Sequence, residues 1–153
     1  MLAIKTDDIK DIVKYVLIAV AVAIALRFII KNAKKVSNLL KSKQEAKEEE
    51  EEAKQLGYST KPRFDTTYHK QIAEQLDDGF NPFPLGVGTN EDYIYNGYAQ
   101  ITSGTAGDMI GVKAQYLVLT GSDLFKDTRK ELTKDELSFV RDILENMPKH
   151  LRP

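Results

Sequence analysis

Large apolar residues crowd one early stretch, thin out in the next, and return at helical spacing through the rest of the chain. Residues 12–30, IVKYVLIAVAVAIALRFII, are apolar almost throughout. A helix of that length rises about 28 Å at about 1.5 Å per residue, close to the roughly 30 Å hydrocarbon core of a bilayer. The strictly uncharged part is shorter, Tyr15 to Leu26, and Lys14 and Arg27 at its ends can snorkel their charges outward. This pattern predicts a single-pass transmembrane anchor over residues 1–31. A core helix, or an oligomerising helix in a soluble assembly, is the alternative. Lys and Arg are denser after the segment (Arg27, Lys31, Lys34, Lys35, Lys41, Lys43) than before it (Lys5, Lys10, Lys14), which places the C-terminal part in the cytoplasm.

Residues 32–57 contain no Pro, have Gly only at the end, and are rich in helix formers, so they predict a charged helical stalk. Glu50 and Lys54, like Lys47 and Glu51, are opposite charges four apart. The acidic run Glu48–Glu52 reads as a solvated face. Gly57 supplies a stop, and residues 58–64, with Pro62, read as a linker. Residues 65–148 then predict five short helices, with 149–153 as a tail. The first helix carries Tyr68, Ile72, Ala73 and Leu76 on one face, and the second carries Ile94, Tyr98 and Ile101 behind a Thr89/Asp92 cap. Thr105/Asp108 opens the third, with Met109, Val112, Tyr116 and Leu119 behind it. Ser122 caps a short fourth. Thr133/Glu136 opens the fifth, with Leu137, Val140, Leu144 and Met147 recurring until Pro148. The fold class expected is all-α.

Composition narrows the chemistry. The formal net charge of −1 over 153 residues gives no basic excess for nucleic acid, and the lack of cysteine excludes disulfides, thiolate metal sites and cysteine catalysis. His69 and His150 are the only histidines, too few for a histidine-built metal centre. No phosphate-binding G-x-x-x-x-G-K-[ST] loop or H-E-x-x-H helix is present, and Ser103 and Ser122 have no visible base. The acidic pairs Asp77/Asp78 and Glu91/Asp92 sit in or beside turns and read as caps or solvated residues. No enzymatic activity is expected.

Two further stretches carry a resemblance. GVGTNEDYI, from Gly86, looks like the G-x-G-T-[DN]-E loop of an annexin repeat, and GSDLFKDTRKELT, from Gly121, is similar to that family's fourth helix. From about Ile72 to Leu144 the order of pieces resembles one annexin repeat, a five-helix unit known for calcium-dependent binding to phospholipid. The resemblance implies Ca2+ held by the carbonyls of Pro84, Gly86 and Gly88 and closed by the Glu131 carboxylate. Calcium takes six to eight oxygens, and glycine lets a loop aim successive carbonyls at one centre. The chain departs from the pattern in several places: DDGFNPFP lengthens the loop, Asn90 replaces a common aspartate, Thr128 a leucine and Lys134 a glycine, and there is one repeat where the family stacks four.

The leading expectation is therefore a membrane-anchored, annexin-like module that binds anionic phospholipid through calcium or tethers membranes. The alternative is a structural or protein-interaction membrane protein of a phage particle or bacterial envelope assembly that does not use calcium, with homo-oligomers or structural partner proteins. The corresponding location is a single-pass membrane protein, in a virion or a bacterial inner membrane. A carboxylate-based cell-wall hydrolase is the weakest option.

Overall fold

Helical caps and stops divide the described residues into six helices and a closing turn. The computed structural model describes residues 6–82 and 88–153, with side chains in the first helix described from Leu17 onward except at 18, 21 and 31. Helix α1 runs Thr6–Gln55, α2 Thr66–Phe80, α3 Glu91–Ile101, α4 Ala106–Thr120, α5 Leu124–Glu131 and α6 Lys134–Ile143, followed by a 3-10 turn at Lys149–Leu151. The described residues are all-helical. The chain divides into two compact units, Met1–Ser37 and Asn38–Pro153.

The first unit overturns the expected anchor. Among the described residues no helix is long and apolar enough to cross a membrane. Between Lys14 and Arg27 the uncharged run spans only about 18 Å at about 1.5 Å per residue, against roughly 30 Å of hydrocarbon. The single-pass localisation, and the cytoplasmic placement deduced from it, are withdrawn. The apolar side chains themselves remain conspicuous. Leu17, Val20, Val22, Ile24, Leu26, Phe28, Ile29 and Ile30 are each between 51% and 66% exposed.

The second unit begins within the expected stalk, so residues 38–55 of α1 belong to the globular part. Ala53 is fully buried in the main apolar cluster, and Ala46 packs against it. Ser42 is buried and donates to the Leu39 carbonyl at 3.0 Å. The acidic run is only partly a solvated face. Glu49 pairs with Lys113 of α4, whose ammonium also lies 4.3 Å from the centre of the Phe125 ring. Burial pushes the Glu49 carboxyl above its usual value against the opposing pull of Lys113. Glu50 pairs with Lys54 at 2.6 Å, as the four-residue spacing predicts.

The core takes its residues from the expected stripes. Ile72, Ala73 and Leu76 of α2, Ile94, Tyr98 and Ile101 of α3, Met109, Val112 and Tyr116 of α4, and Val140, Leu144 and Met147 from α6 onward are all buried. Fully burying a side chain of this size is worth about 1.5–3 kcal/mol. Leu119 departs from its stripe and is 45% exposed. The capping boxes at Thr105/Asp108 and Thr133/Glu136 form as expected. Two caps fall one residue later than expected. Asn90 caps α3, accepting from the Tyr93 N–H at 3.3 Å, and Asp123 caps α5, accepting from the Lys126 N–H at 2.7 Å. Residues 149–153 are packed down, with Leu151 fully buried.

Candidate functional site

Of the four expected calcium ligands, Pro84 and Gly86 lie outside the described residues. Gly88 adopts a left-handed φ of +87°, and nothing lies within 4 Å of where a Cβ would stand. The loop is closed at its base by the Asn90 N–H, which donates to the Gly79 carbonyl at 2.8 Å. Glu131 is the last residue of α5, two positions before the Thr133 cap of α6. Its side chain is 28% exposed and its Oε1 accepts from Lys130 Nζ at 2.5 Å. Lys134, the first residue of α6, is exposed. Among the described residues no group of three or more acidic or imidazole side chains could hold a metal ion.

The departure at Thr128 has a clear structural role. Thr128 is fully buried, and its hydroxyl lies 2.5 Å from the buried Tyr98 hydroxyl while donating to the Leu124 carbonyl at 2.8 Å. A leucine there would leave the Tyr98 hydroxyl without this partner. Burial pushes the Tyr98 phenol far up, so it stays neutral and serves as the donor to Thr128. The three neighbouring tyrosines divide their surroundings: Tyr98 is in the core, Tyr95 packs edge-on against Phe139 at 4.8 Å between ring centres, and Tyr93 is 49% exposed.

A buried polar cluster that the sequence did not reveal joins His69 to Asp108. The Asp108 side chain is 1% exposed and His69 6%. Asp108 Oδ1 accepts from His69 Nε2 at 2.9 Å and from the backbone N–H groups of Arg63 and Phe64 at 3.0 Å each. Its Oδ2 accepts from the Thr105 N–H at 2.7 Å. Burial alone would raise its pKa, but the bonds from His69, Phe64, Thr105 and Arg63 outweigh it and hold the carboxyl down at about 2. An ionised carboxylate can only accept, so His69 donates to it from Nε2.

Local sequence explains why these groups meet. His69 sits on the same face of α2 as Ile72, Ala73 and Leu76, and Asp108 is the third residue of α4, where its capping role turns it back toward Thr105. Gly107 and Gly111 make one face of α4 flat. A Cβ at Gly107 would stand 2.1 Å from the Thr60 carbonyl oxygen, and one at Gly111 would stand 2.3 Å from His69 Nδ1. The linker and the imidazole occupy that space instead. The capping pattern marked Asp108 as a cap, whereas the expected stripe of α2 held Tyr68 and did not include His69. No signal in the sequence tied the two together across 39 positions.

A cleft of about 550 Å³ opens beside His69, lined also by Lys43, Lys47, Glu50, Thr60 and Gln115. A histidine oriented by a buried carboxylate is the base half of a nucleophilic triad. Of the serines considered for that role, Ser122 is engaged elsewhere, its Oγ donating to Asp127 at 2.8 Å. The Asp108 bonds run to the 60–64 linker, to α2 and to α4, and their effect is to clamp those three segments together.

No known protein family, no curated protein and no solved structure matches the chain.

Proposed function

We propose that the chain is a structural, protein-interaction protein whose α1 gathers several copies and presents the helical bundle of residues 38–153. The observation that carries this reading is the exposed apolar surface between Leu17 and Ile30. At about 100° per residue these side chains surround the helix axis, with Arg27 the one charged residue among positions 17–30. A helix that is apolar all round is covered in its working state, either by lipid or by other protein. Without a membrane-spanning helix among the described residues, protein is the cover, and other copies of the same segment supply it. One partner helix covers one face only, so the assembly exceeds a dimer. A phage particle is a setting that suits such a protein.

The test introduces charge into the segment. Val20→Glu with Ile24→Glu should convert the full chain to monomer without loss of helix content by circular dichroism. A full chain that floats with phosphatidylcholine vesicles instead of self-associating would overturn the reading.

A second reading keeps the annexin resemblance. Its support is the left-handed Gly88 in a loop pinned at its base, together with Glu131 at the α5–α6 junction. In this reading Pro84, Gly86, Gly88 and Glu131 hold Ca2+ and engage anionic phospholipid. Calorimetric titration of the full chain with calcium should then show binding that Glu131→Gln removes. Heats identical to buffer rule it out.

A further inference from the structure

Several lysines of this bundle pair with a carboxylate, as in Lys54–Glu50, Lys70–Glu74, Lys113–Glu49 and Lys130–Glu131. Four other cations share one place. Arg129 of α5, Arg141 of α6, and Lys149 and Arg152 of the closing turn line a single cleft of about 330 Å³, together with Pro153. Among the described residues, none of these four cations has a carboxylate side chain within ion-pairing distance. In a chain of net charge −1, four cations around one cleft are a local concentration rather than a general excess.

Two of the guanidinium groups are already held in place. Arg141 Nε donates to the Pro153 main-chain oxygen at 2.7 Å, and Arg152 Nε donates to the Met147 carbonyl at 2.7 Å. Arg152 Nη2 also donates to the Glu145 carbonyl. These bonds fix the planes of both side chains yet leave the terminal nitrogens of Arg141 and Nη1 of Arg152 without acceptors among the described residues. The turn beneath them is anchored by Leu151 and Pro153, both buried. An arginine immobilised through Nε loses little further freedom when its fork takes a ligand, so the arrangement is preorganised.

We propose that this cleft binds a phosphate group, as a terminal phosphate or a diphosphate. A carboxylate brings one negative charge, whereas a phosphomonoester brings about −1.5 to −2 and three strong acceptor oxygens. Paired N–H donors of an arginine fork match those oxygens, and Lys149 adds a point charge. The cleft is independent of α1 residues 17–30 and of the loop containing Gly88, so it stands apart from either functional reading. The phosphate comes from a soluble compound or from a lipid headgroup, and the experiment separates the two.

The full chain is titrated calorimetrically with inorganic pyrophosphate. In parallel it is sedimented with phosphatidylcholine vesicles with and without phosphatidic acid. Arg129 and Lys149 are exposed and make no side-chain hydrogen bond among the described residues, so the Arg129→Gln/Lys149→Gln variant should keep its melting temperature. Saturable binding in at least one arm, weakened about tenfold or more in that variant and weakened by added salt, is the expected result. Binding of pyrophosphate assigns the site to soluble phosphates, and a requirement for phosphatidic acid assigns it to a headgroup. A control with two exposed lysines removed elsewhere, Lys61→Gln/Lys126→Gln, should bind as the parent does. No saturable binding in either arm, no loss in the Arg129/Lys149 variant, or equal loss in the control overturns the proposal.

Discussion

Asp108 shows how much of this fold depends on one side chain. Its carboxylate takes the backbone N–H groups of Arg63, Phe64 and Thr105 and the His69 imidazole, all away from solvent. Asp108→Asn keeps the shape, loses the charge, and turns two acceptor positions into donors facing donors. The expected cost is about 2–4 kcal/mol, read from urea unfolding. The pH dependence has a definite sign. The folded carboxyl titrates at about 2, below the unfolded value near 3.8, so its contribution of roughly 2 kcal/mol is complete above about pH 4 and is lost as pH falls toward 2. Acid unfolding of Asp108→Asn should therefore be shallower than that of the parent across that window. An unchanged acid limb contradicts the ionised clamp. Thr128→Val is a second probe at this scale. It keeps the volume, strips the Tyr98 hydroxyl of its partner, and should cost about 1–3 kcal/mol by the same measurement, whereas Thr128→Ser should cost less.

At the scale of elements, the informative contact is between α1 and α4. Glu49 and Lys113 are 22% and 12% exposed, partly desolvated, and Lys113 also rests on the Phe125 ring. Removing one partner leaves a half-buried charge alone, so Lys113→Met or Glu49→Leu should each cost about 1–3 kcal/mol. The double substitution should recover most of the loss. Additive losses would show that the two charges do not act as a pair. This contact also marks where sequence reading reaches its limit. The helices themselves were legible because their signals are local: Thr105 with Asp108, Thr133 with Glu136, and stripes such as Ile94, Tyr98 and Ile101. The membership of residues 38–55 in the globular unit was not legible, because an acidic run beside a lysine-rich run looks solvated whether or not one glutamate meets a lysine 64 positions away. Gly107 and Gly111 were equally silent. Their meaning lies in the Thr60 carbonyl and the His69 ring that lie against them. Gly111→Ala should cost about 1–3 kcal/mol through displacement of His69, as urea unfolding would show.

For the molecule as a whole, the proposed self-association rests on the exposed apolar stretch from Leu17 to Ile30. Its hydrophobicity was plain in the sequence. What covers it was not, because the same pattern serves a bilayer, a core or an oligomer. Burying eight large side chains that are each more than half exposed is a strong driving force for association, at about 25 cal/mol per Å² of apolar surface covered. The account stands or falls on the mass of the full chain in solution, measured by light scattering coupled to size exclusion. It predicts a discrete species larger than two copies of the 17.3 kDa chain, collapsing to one copy in Val20→Glu/Ile24→Glu. A parent that elutes as a 17.3 kDa monomer over the whole accessible concentration range contradicts it.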